Sequence, residues 1–354
     1  MVKPFKTALR TVVSAENTIV LIKTDDGKTG YGEAPPTKPI TGDTTESIIE
    51  AILKYIAPAI TGMEVDAGDP NDVERLMETV QSCVPGNTSP KAACDMALYD
   101  LIGQELGTPV YRYLGGRDRK VLETDLTISI DTPDKMREDA LAAVAQGYNS
   151  LKLKVGIGPD IDVERVRAIR SAVGPDINIR LDANQGWTPQ EAVDVMRKLE
   201  TLGLDIEFIE QPVAAGDFDG MKYVRDNIDT PVMADESMFS PEDARRLLEM
   251  EAVDLINIKL MKCGGIYNAL KILDIAESFG VECMLGCMCE SKVSLAAAVQ
   301  LATARDNITR VDLDAAILLA RDPVHGGYVK DIPYFRATEA PGLGISEIEG
   351  LTEI

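Results

Sequence analysis

The chain has 354 residues, a length typical of roughly two domains at about 150 residues each. Hydrophobic residues make up 45% and charged residues 27% of the sequence, as in ordinary globular proteins. Lys and Arg together number 36 against 58 Asp and Glu, which gives a formal net charge of −22. A field of this sign repels phosphate backbones and anionic lipid, so neither nucleic acid nor a membrane is expected as a partner.

Membrane, export and disulfide signals are not found in the sequence. No stretch reaches the roughly 18 apolar residues of a membrane span, and the N-terminus lacks the apolar core of a signal peptide. Cys287-Met288-Cys289 has no accompanying CxxC pair, and His325 is the single histidine, so a zinc site is disfavoured. We therefore predict reduced thiols, buried or lining a pocket, in a cytoplasmic protein. The sequence leaves a homo-oligomer open.

Residues 1–120 predict a small α+β domain. The segments 17–24 and 30–33 flank a turn and are typical of a β-hairpin. Helices are predicted over residues 45–60, 72–80 and 89–104, the last because Ser89-Pro90 suits a helix start.

From residue 121 the chain alternates between strand-like and helix-like segments. Strands are predicted over residues 122–130, 150–155, 178–182, 206–210, 232–235, 255–259, 281–285 and 309–314. Eight strands separated by helices predict a TIM-type barrel over residues 121–325. The segment 326–354 is richer in glycine and proline and is expected to return to the N-terminal domain.

Charged residues end successive barrel strands at regular intervals. Lys154, Asp182, Glu210, Asp235 and Lys259 follow one another at 28, 28, 25 and 24 positions, about the length of one βα unit. The C-terminal ends of such strands meet at one face of the barrel, where these enzymes carry out their chemistry. The three acids are oxygen donors suited to Mg²⁺, although an isolated acid in a βα loop is more often a helix N-cap. Three acids in succession favour the metal site.

The lysines flank these acids on both sides. Lys152 and Lys154 are two positions apart on a strand, so they face the same side, and their repulsion is expected to lower both pKa values and provide a base. A lysine pair fraying at a solvated strand end is the alternative. Lys259 disfavours it, because a third lysine on a distant strand allows two amines to approach a substrate from opposite faces.

Several segments resemble the enolase superfamily. The metal-ligand motifs are matched by Leu181-Asp182-Ala183-Asn184-Gln185-Gly186-Trp187, Ile209-Glu210-Gln211-Pro212 and Ala234-Asp235-Glu236-Ser237. The muconate lactonizing enzyme subgroup is matched by Lys152-Leu153-Lys154 and Lys259-Leu260-Met261-Lys262-Cys263-Gly264-Gly265. The resemblance covers nearly the whole chain and implies an α+β capping domain over a modified (β/α)₇β barrel. It also implies removal of a proton α to a carboxylate by lysine, with Mg²⁺ as cofactor.

Within that subgroup, the end of the eighth strand resembles the dipeptide epimerases. Asp312-Leu313-Asp314 resembles the Asp-x-Asp pair that binds the substrate α-ammonium, although two acids at a strand end can also face solvent. Residues 3–11 resemble the specificity loop of L-Ala-D/L-Glu epimerases, in which Arg10 would meet the glutamate side-chain carboxylate; the alternative is a solvated arginine.

The same resemblance implies further substrate-contact residues in the cap and the barrel. Ile40 and Thr41 lie in a segment similar to the second covering loop, and Met288 is a further candidate for substrate contact. Members of the family carry an additional strand before the segment that matches Lys3. We therefore expect the capping domain to lack its first strand, unless the protein begins further upstream.

The resemblance as a whole implies a Mg²⁺-dependent dipeptide epimerase acting on Ala-Glu, with a role in recycling cell-wall peptides. Lys154 and Lys259 would act on opposite faces of the Cα of the C-terminal residue, and Lys152 would tune Lys154. An o-succinylbenzoate synthase or a muconate cycloisomerase-type lyase with the same lysines is the first alternative, although its substrates have no ammonium for Asp312 and Asp314. An inactive barrel with a binding role is the second.

Overall fold

The structure, a computed structural model, describes residues 1–2, 5–7 and 11–354. Its N-terminal part contains β1 (Phe5–Lys6), β2 (Thr11–Val12), β3 (Thr18–Lys23), β4 (Thr29–Ala34), α1 (Lys38–Thr41), α2 (Thr45–Ala51), a π-helical turn (Ile52–Ile56), α3 (Ala57–Ile60), α4 (Pro70–Ser82), α5 (Thr88–Glu105) and α6 (Val110–Tyr113). Strands β1 and β2 pair antiparallel, as do β3 and β4. The predicted hairpin and helices are therefore present, with the first helix interrupted by the π-helical turn.

Helix α5 is the core of this N-terminal part. Its residues from Ser89 to Gly103 are all buried, which explains why the helix is rich in small apolar side chains. Strand β4 lies directly against it, and a Cβ atom on Gly32 would be 1.7 Å from the carbonyl oxygen of Ala93. Glycine therefore permits the close approach that brings the end of β4 to the barrel.

The barrel follows in regular order. Its elements are β5 (Leu122–Glu123), β6 (Leu126–Ile128), α7 (Pro133–Ala145), β7 (Ser150–Lys154), α8 (Pro159–Val173), β8 (Asn178–Asp182), α9 (Pro189–Thr201), β9 (Ile206–Glu210), α10 (Phe218–Arg225), β10 (Val232–Ala234), α11 (Pro241–Glu249), β11 (Leu255–Ile258), α12 (Leu260–Cys263), α13 (Ile266–Ser278), β12 (Glu282–Gly286), α14 (Lys292–Ala304), β13 (Ile308–Asp312) and α15 (Ala315–Leu318). Strands β6 to β13 pair in chain order, all parallel. A parallel bridge between Thr124 and Val311 nearly closes the sheet. The predicted (β/α)₇β barrel is confirmed.

The predicted strand over residues 122–130 is wrong as a single element. Strand β5 pairs antiparallel with a C-terminal strand, and only β6 joins the barrel. Between them the chain turns inward at Asp125, which is fully buried and bonded to Arg180. Alternation of apolar residues predicts extended chain, but it does not say which sheet the chain enters.

The C-terminal segment contains β14 (Val324–Gly326), β15 (Tyr328–Asp331), β16 (Tyr334–Ala337) and β17 (Ile345–Ile348). Strand β16 lies between β15 and β5, and β14 pairs with β17. The backbone NH of Val110 donates to the carbonyl oxygen of Gly342 at 3.0 Å, and the NH of Leu343 donates to Asp100 Oδ1 at 2.7 Å. This segment thus contacts the N-terminal helices as well as β5, while the domain limits at 120 and 325 stay predictions.

The middle layer of the barrel interior is ionic. Arg180 lies 2.8 Å from both Asp125 and Glu207, and Arg310 Nε lies 2.6 Å from Glu207 Oε1. Asp182 and Asp312 lie two positions after Arg180 and Arg310 on the same strands, so they face the same side, at the mouth of the barrel. This network therefore supports the acids above it. No helix in the described part of the chain is long and apolar enough to cross a membrane.

Candidate active site

A pocket opens where the C-terminal ends of the barrel strands meet the N-terminal domain. It is lined by Thr7, Ile40, Thr127, Lys152, Lys154, Asn184, Asp235, Glu236, Lys259, Cys287, Met288, Cys289, Asp312, Asp314 and Leu318. Asp182 and Glu210 are fully buried beneath it. Most of the predicted site residues, including Ile40 and Met288, therefore come together here.

Two predicted residues lie elsewhere. Thr41 is not among the lining residues; its hydroxyl oxygen accepts a hydrogen bond from the NH of Asp43 at 3.3 Å, within its own loop. Arg10 lies outside the described residues. Their contact with substrate stays a prediction.

Lys152 is the electrostatic centre of the site. Its Nζ lies 2.7 Å from Glu210 Oε2, 2.8 Å from Asp312 Oδ2 and 3.2 Å from Asp182 Oδ2, and the side chain is 1% exposed. One ammonium group thus connects carboxylates from three strands. It cannot leave this position without exposing three buried acids to one another.

Two further lysines are held by single acids. Lys154 Nζ lies 2.5 Å from Asp182 Oδ2, and Lys259 Nζ lies 2.8 Å from Asp235 Oδ2. Lys154 ends β7 and Lys259 follows β11, four strands away in the eight-stranded sheet. The two amines therefore enter the pocket from opposite sides of the barrel.

The three predicted metal ligands converge. One oxygen atom from each of Asp182, Glu210 and Asp235 lies within 4.8 Å of the other two, and all three residues are buried. They are not helix caps, because the helices that follow begin at other N-cap residues: Thr188, Asp217 and Ser240. Three buried oxygen donors at this spacing fit a hard divalent cation such as Mg²⁺.

Sequence reasoning did not assign the residues that orient these acids. Lys262 Nζ lies 2.6 Å from Asp235 Oδ1 and also donates to the carbonyl oxygens of Asp235 and Asn257. Asn257 Nδ2 donates to Glu210 Oε1 at 2.7 Å. Asn257 lies two positions before Lys259 and so faces the same side of the barrel, a signal that the sequence contains. These side chains fix the acids before any ligand binds.

The predicted lowering of the Lys152 pKa is wrong for this arrangement. Burial by itself lowers the pKa, but Asp312, Glu210 and Asp182 raise it well above its ordinary value. An ion pair at about 3 Å contributes roughly 5 kcal/mol at an effective dielectric constant of about 20, and desolvation of one ion costs several kcal/mol. The attraction of one carboxylate about offsets the desolvation cost of the ammonium group, and the attraction of three carboxylates exceeds it. A divalent cation held by the acids would oppose their effect on the ammonium group.

Asp312 and Asp314 form a buried acidic pair that lines the pocket. Burial by itself raises the pKa of Asp312, but the neighbouring Lys152 ammonium lowers it to about 2. Burial and the neighbouring Asp312 raise the pKa of Asp314 to about 6, while its Oδ2 accepts a hydrogen bond from the NH of Thr127 at 3.0 Å. Both residues are 5% exposed, so they do not face bulk solvent. A cationic group between them would be stabilised.

Comparison with known families agrees with this geometry. Residues 1–115 match the N-terminal domain of mandelate racemase and muconate lactonizing enzyme, and residues 135–349 match the enolase C-terminal domain-like family. The chain belongs to the enolase superfamily. The resemblance inferred from the motifs is thus confirmed.

Several characterised members of this superfamily are similar over nearly their full length. The L-Ala-D/L-Glu epimerase of Clostridium acetobutylicum is 52% identical, over 98% of this chain and 95% of that protein. A substrate-liganded structure of the L-Ala-D/L-Glu epimerase from Bacillus subtilis has a TM-score of 0.94 at 48% identity, covering 97% of this chain and 94% of that one. The dipeptide epimerase from Enterococcus faecalis, complexed with Mg and L-Leu-L-Tyr, has a TM-score of 0.91 at 45% identity, with 98% and 96% covered.

The metal site can be tested by titration with Mg²⁺. We expect isothermal titration calorimetry to detect one ion per chain, and Glu210→Gln to weaken binding at least about tenfold because a buried oxygen donor loses its charge. Glu249→Gln, on the exposed end of α11, is the matched control and should bind as the wild type does. Equal affinity in wild type and Glu210→Gln would contradict the assignment.

Proposed function

We propose that this chain is a Mg²⁺-dependent dipeptide epimerase that inverts the Cα of the C-terminal residue by 1,1-proton transfer. The observation that carries the proposal is the placement of Lys154 and Lys259 on opposite sides of one pocket, beside a buried acidic pair. The similarity to dipeptide epimerases at 45–52% identity supports it. An o-succinylbenzoate synthase or muconate cycloisomerase activity gives Asp312 and Asp314 no ammonium to bind.

The chemistry follows from the positions of the lysines. Asp182, Glu210 and Asp235 would hold Mg²⁺, which when bound supplies a Lewis acid for the substrate carboxylate. Lys154 and Lys259 then exchange a proton with the two faces of the Cα, one as base and the other as acid. Lys152, paired with three acids, is the fixed positive charge beside Lys154. Lys154 and Lys259 are 5% and 7% exposed, so bulk water has little access to the groups that would act on the Cα.

Substrate recognition combines groups from both domains. Asp312 and Asp314 would bind the α-ammonium of the first residue, and Ile40, Thr41 and Met288 would contact the rest of the dipeptide. We propose L-Ala-D/L-Glu as the substrate pair, with Arg10 meeting the glutamate carboxylate. The similarity of residues 3–11 to the specificity loop and the 52% identical relative support this preference.

The cellular setting is part of the same proposal. An enzyme that epimerises Ala-Glu would serve the recycling of cell-wall peptides. We place it in the cytoplasm, without a nucleic-acid or membrane partner. The six cysteines are free thiols, which suits a reducing compartment.

The two-base arrangement predicts an asymmetric loss of function. Lys259→Ala should reduce epimerisation at least about 10³-fold, because one face of the Cα loses its acid–base group. Lys154 should still exchange the Cα proton of one epimer with deuterium from solvent, as measured by proton NMR. Lys271→Ala, an exposed lysine on α13, should behave as the wild type. Exchange of both epimers at the wild-type rate in Lys259→Ala would refute two-base catalysis.

The acidic pair predicts a dependence on the substrate ammonium. Asp314→Asn should raise KM for L-Ala-L-Glu about tenfold or more, because a charge-assisted hydrogen bond is lost. The N-acetylated dipeptide has no ammonium, so its KM should already be high with the wild type. Asp314→Asn should not raise that KM further. Asp314 suits this test better than Asp312, whose carboxylate also pairs with Lys152. Equal increases for both substrates would exclude ammonium binding by Asp314.

A further inference from the structure

A buried glutamate of the N-terminal domain contacts the barrel outside the pocket. Glu33, near the end of β4, is fully buried, and both its oxygens accept hydrogen bonds. Oε1 accepts from Asn17 Nδ2 at 2.6 Å and from the NH of Ser291 at 2.8 Å. Oε2 accepts from Ser291 Oγ at 2.8 Å and from the NH of Ser294 at 3.1 Å. Burial raises the pKa of Glu33, while the hydrogen bonds from Ser291, Ser294 and Asn17 oppose this shift.

These bonds complete the first turn of α14. Ser291 is the N-cap of this 13-residue helix, and its hydroxyl accepts from the NH of Val293. The NH of Ser294, at the third helical position, donates to Glu33. The backbone of the barrel helix therefore depends on a side chain from the other domain, because a buried NH group without a partner is costly.

The loop before α14 lines the pocket. Residues 287–291 connect β12 to α14 and include Cys287, Met288 and Cys289. Asn17 Nδ2 donates to the carbonyl oxygen of Cys289 at 3.0 Å as well as to Glu33. Glu290 Oε1 accepts from the NH of Met288 at 2.8 Å, which fixes the loop internally. The loop is thus attached to the N-terminal domain at Cys289 and at Ser291.

The loop is also close to one of the lysines. A Cβ atom on Gly286, the residue that precedes the loop, would lie 3.0 Å from Lys259 Cε. A displacement of the loop therefore changes the wall that faces the substrate. Lys154 and Lys259 are held by Asp182 and Asp235. The hydrogen bonds of Glu33 go to Asn17, Ser291 and Ser294 and to none of these four residues.

We propose that Glu33 is a positioning residue that holds the loop 287–291 against the pocket and so sets the affinity for the dipeptide without touching it. This inference rests on the proposed function and deepens it. Because the lysines keep their own partners, loss of Glu33 acts on KM rather than on kcat.

A matched control lies in the same domain. Asp100 on α5 is also buried, and it accepts hydrogen bonds from the NH groups of Leu343 at 2.7 Å and Tyr31 at 3.1 Å. These bonds attach it to β4 and to the C-terminal segment, and neither reaches the loop 287–291. Asp100→Asn therefore perturbs a comparable buried carboxylate without reaching the loop.

The test compares the full-length wild type with Glu33→Gln, Asn17→Ala and Asp100→Asn, all with Mg²⁺. Hydrogen–deuterium exchange of residues 286–296 measures the loop, and turnover of L-Ala-L-Glu gives KM and kcat. For Glu33→Gln we expect at least tenfold faster exchange of the Ser291 and Ser294 amides, at least fivefold higher KM and kcat within twofold. Asn17→Ala, which keeps Glu33, should raise KM about threefold and provides the test if Glu33→Gln does not fold.

Asp100→Asn should leave exchange in residues 286–296 and KM within twofold of the wild type. The inference is overturned if exchange or KM stays at the wild-type value in Glu33→Gln and Asn17→Ala, if kcat falls while KM is unchanged, or if Asp100→Asn raises KM equally. If the wild type turns over no L-Ala-L-Glu, the proposed function fails, whereas amide exchange still decides whether Glu33 holds the loop.

Discussion

The balance of buried charge at the mouth of the barrel is the constraint on which the rest of the structure depends. Lys152, Lys154, Lys259 and Lys262 lie there within ion-pair distance of four carboxylates, those of Asp182, Glu210, Asp235 and Asp312, and all eight residues are buried. Such ions are tolerated only when they are paired, so each side chain has little freedom. A divalent cation held by Asp182, Glu210 and Asp235 would oppose the attraction by which buried carboxylates raise the pKa of Lys152 and Lys259. The buried charges that fix these side chains are therefore the same groups that would hold the metal ion and exchange the proton.

The two domains contribute different groups to the pocket. The strands of the barrel carry the lysines and the acids, whose spacing is fixed by the parallel sheet and by the ionic layer beneath them. The N-terminal domain contributes Thr7 and Ile40 to the pocket and docks through buried carboxylates that accept backbone NH groups. Asp95 does so at the start of α13, as Glu33 does at the start of α14. Under the proposed function, recognition would use groups from both domains, whereas the proton transfer would use side chains of the barrel.

The sequence was sufficient for the barrel and for most of the site because both follow from short-range periodicity. A charged residue at the end of each βα unit can be placed on one face without knowledge of any contact. The hydrogen-bond and ion-pair partners of those residues are set by long-range packing, which the periodicity of the sequence does not predict. The sequence assigns no role to Lys262, although it lies in a matched motif, and it places Glu33 only in a hairpin. It also predicts a lowered pKa for Lys152, whereas the structure raises it. In each case the deciding neighbours lie on other strands or in the other domain.

The central claim is that this pocket moves a proton at the Cα of a dipeptide, and proton NMR in D₂O tests it most directly. The enzyme is incubated with Mg²⁺ and L-Ala-L-Glu, and the Glu α-proton signal is followed with time. The account predicts that this signal disappears as deuterium is incorporated and that L-Ala-D-Glu appears. An α-proton that persists, in a protein that binds Mg²⁺ and remains folded, with this dipeptide and with a library of others, would contradict it.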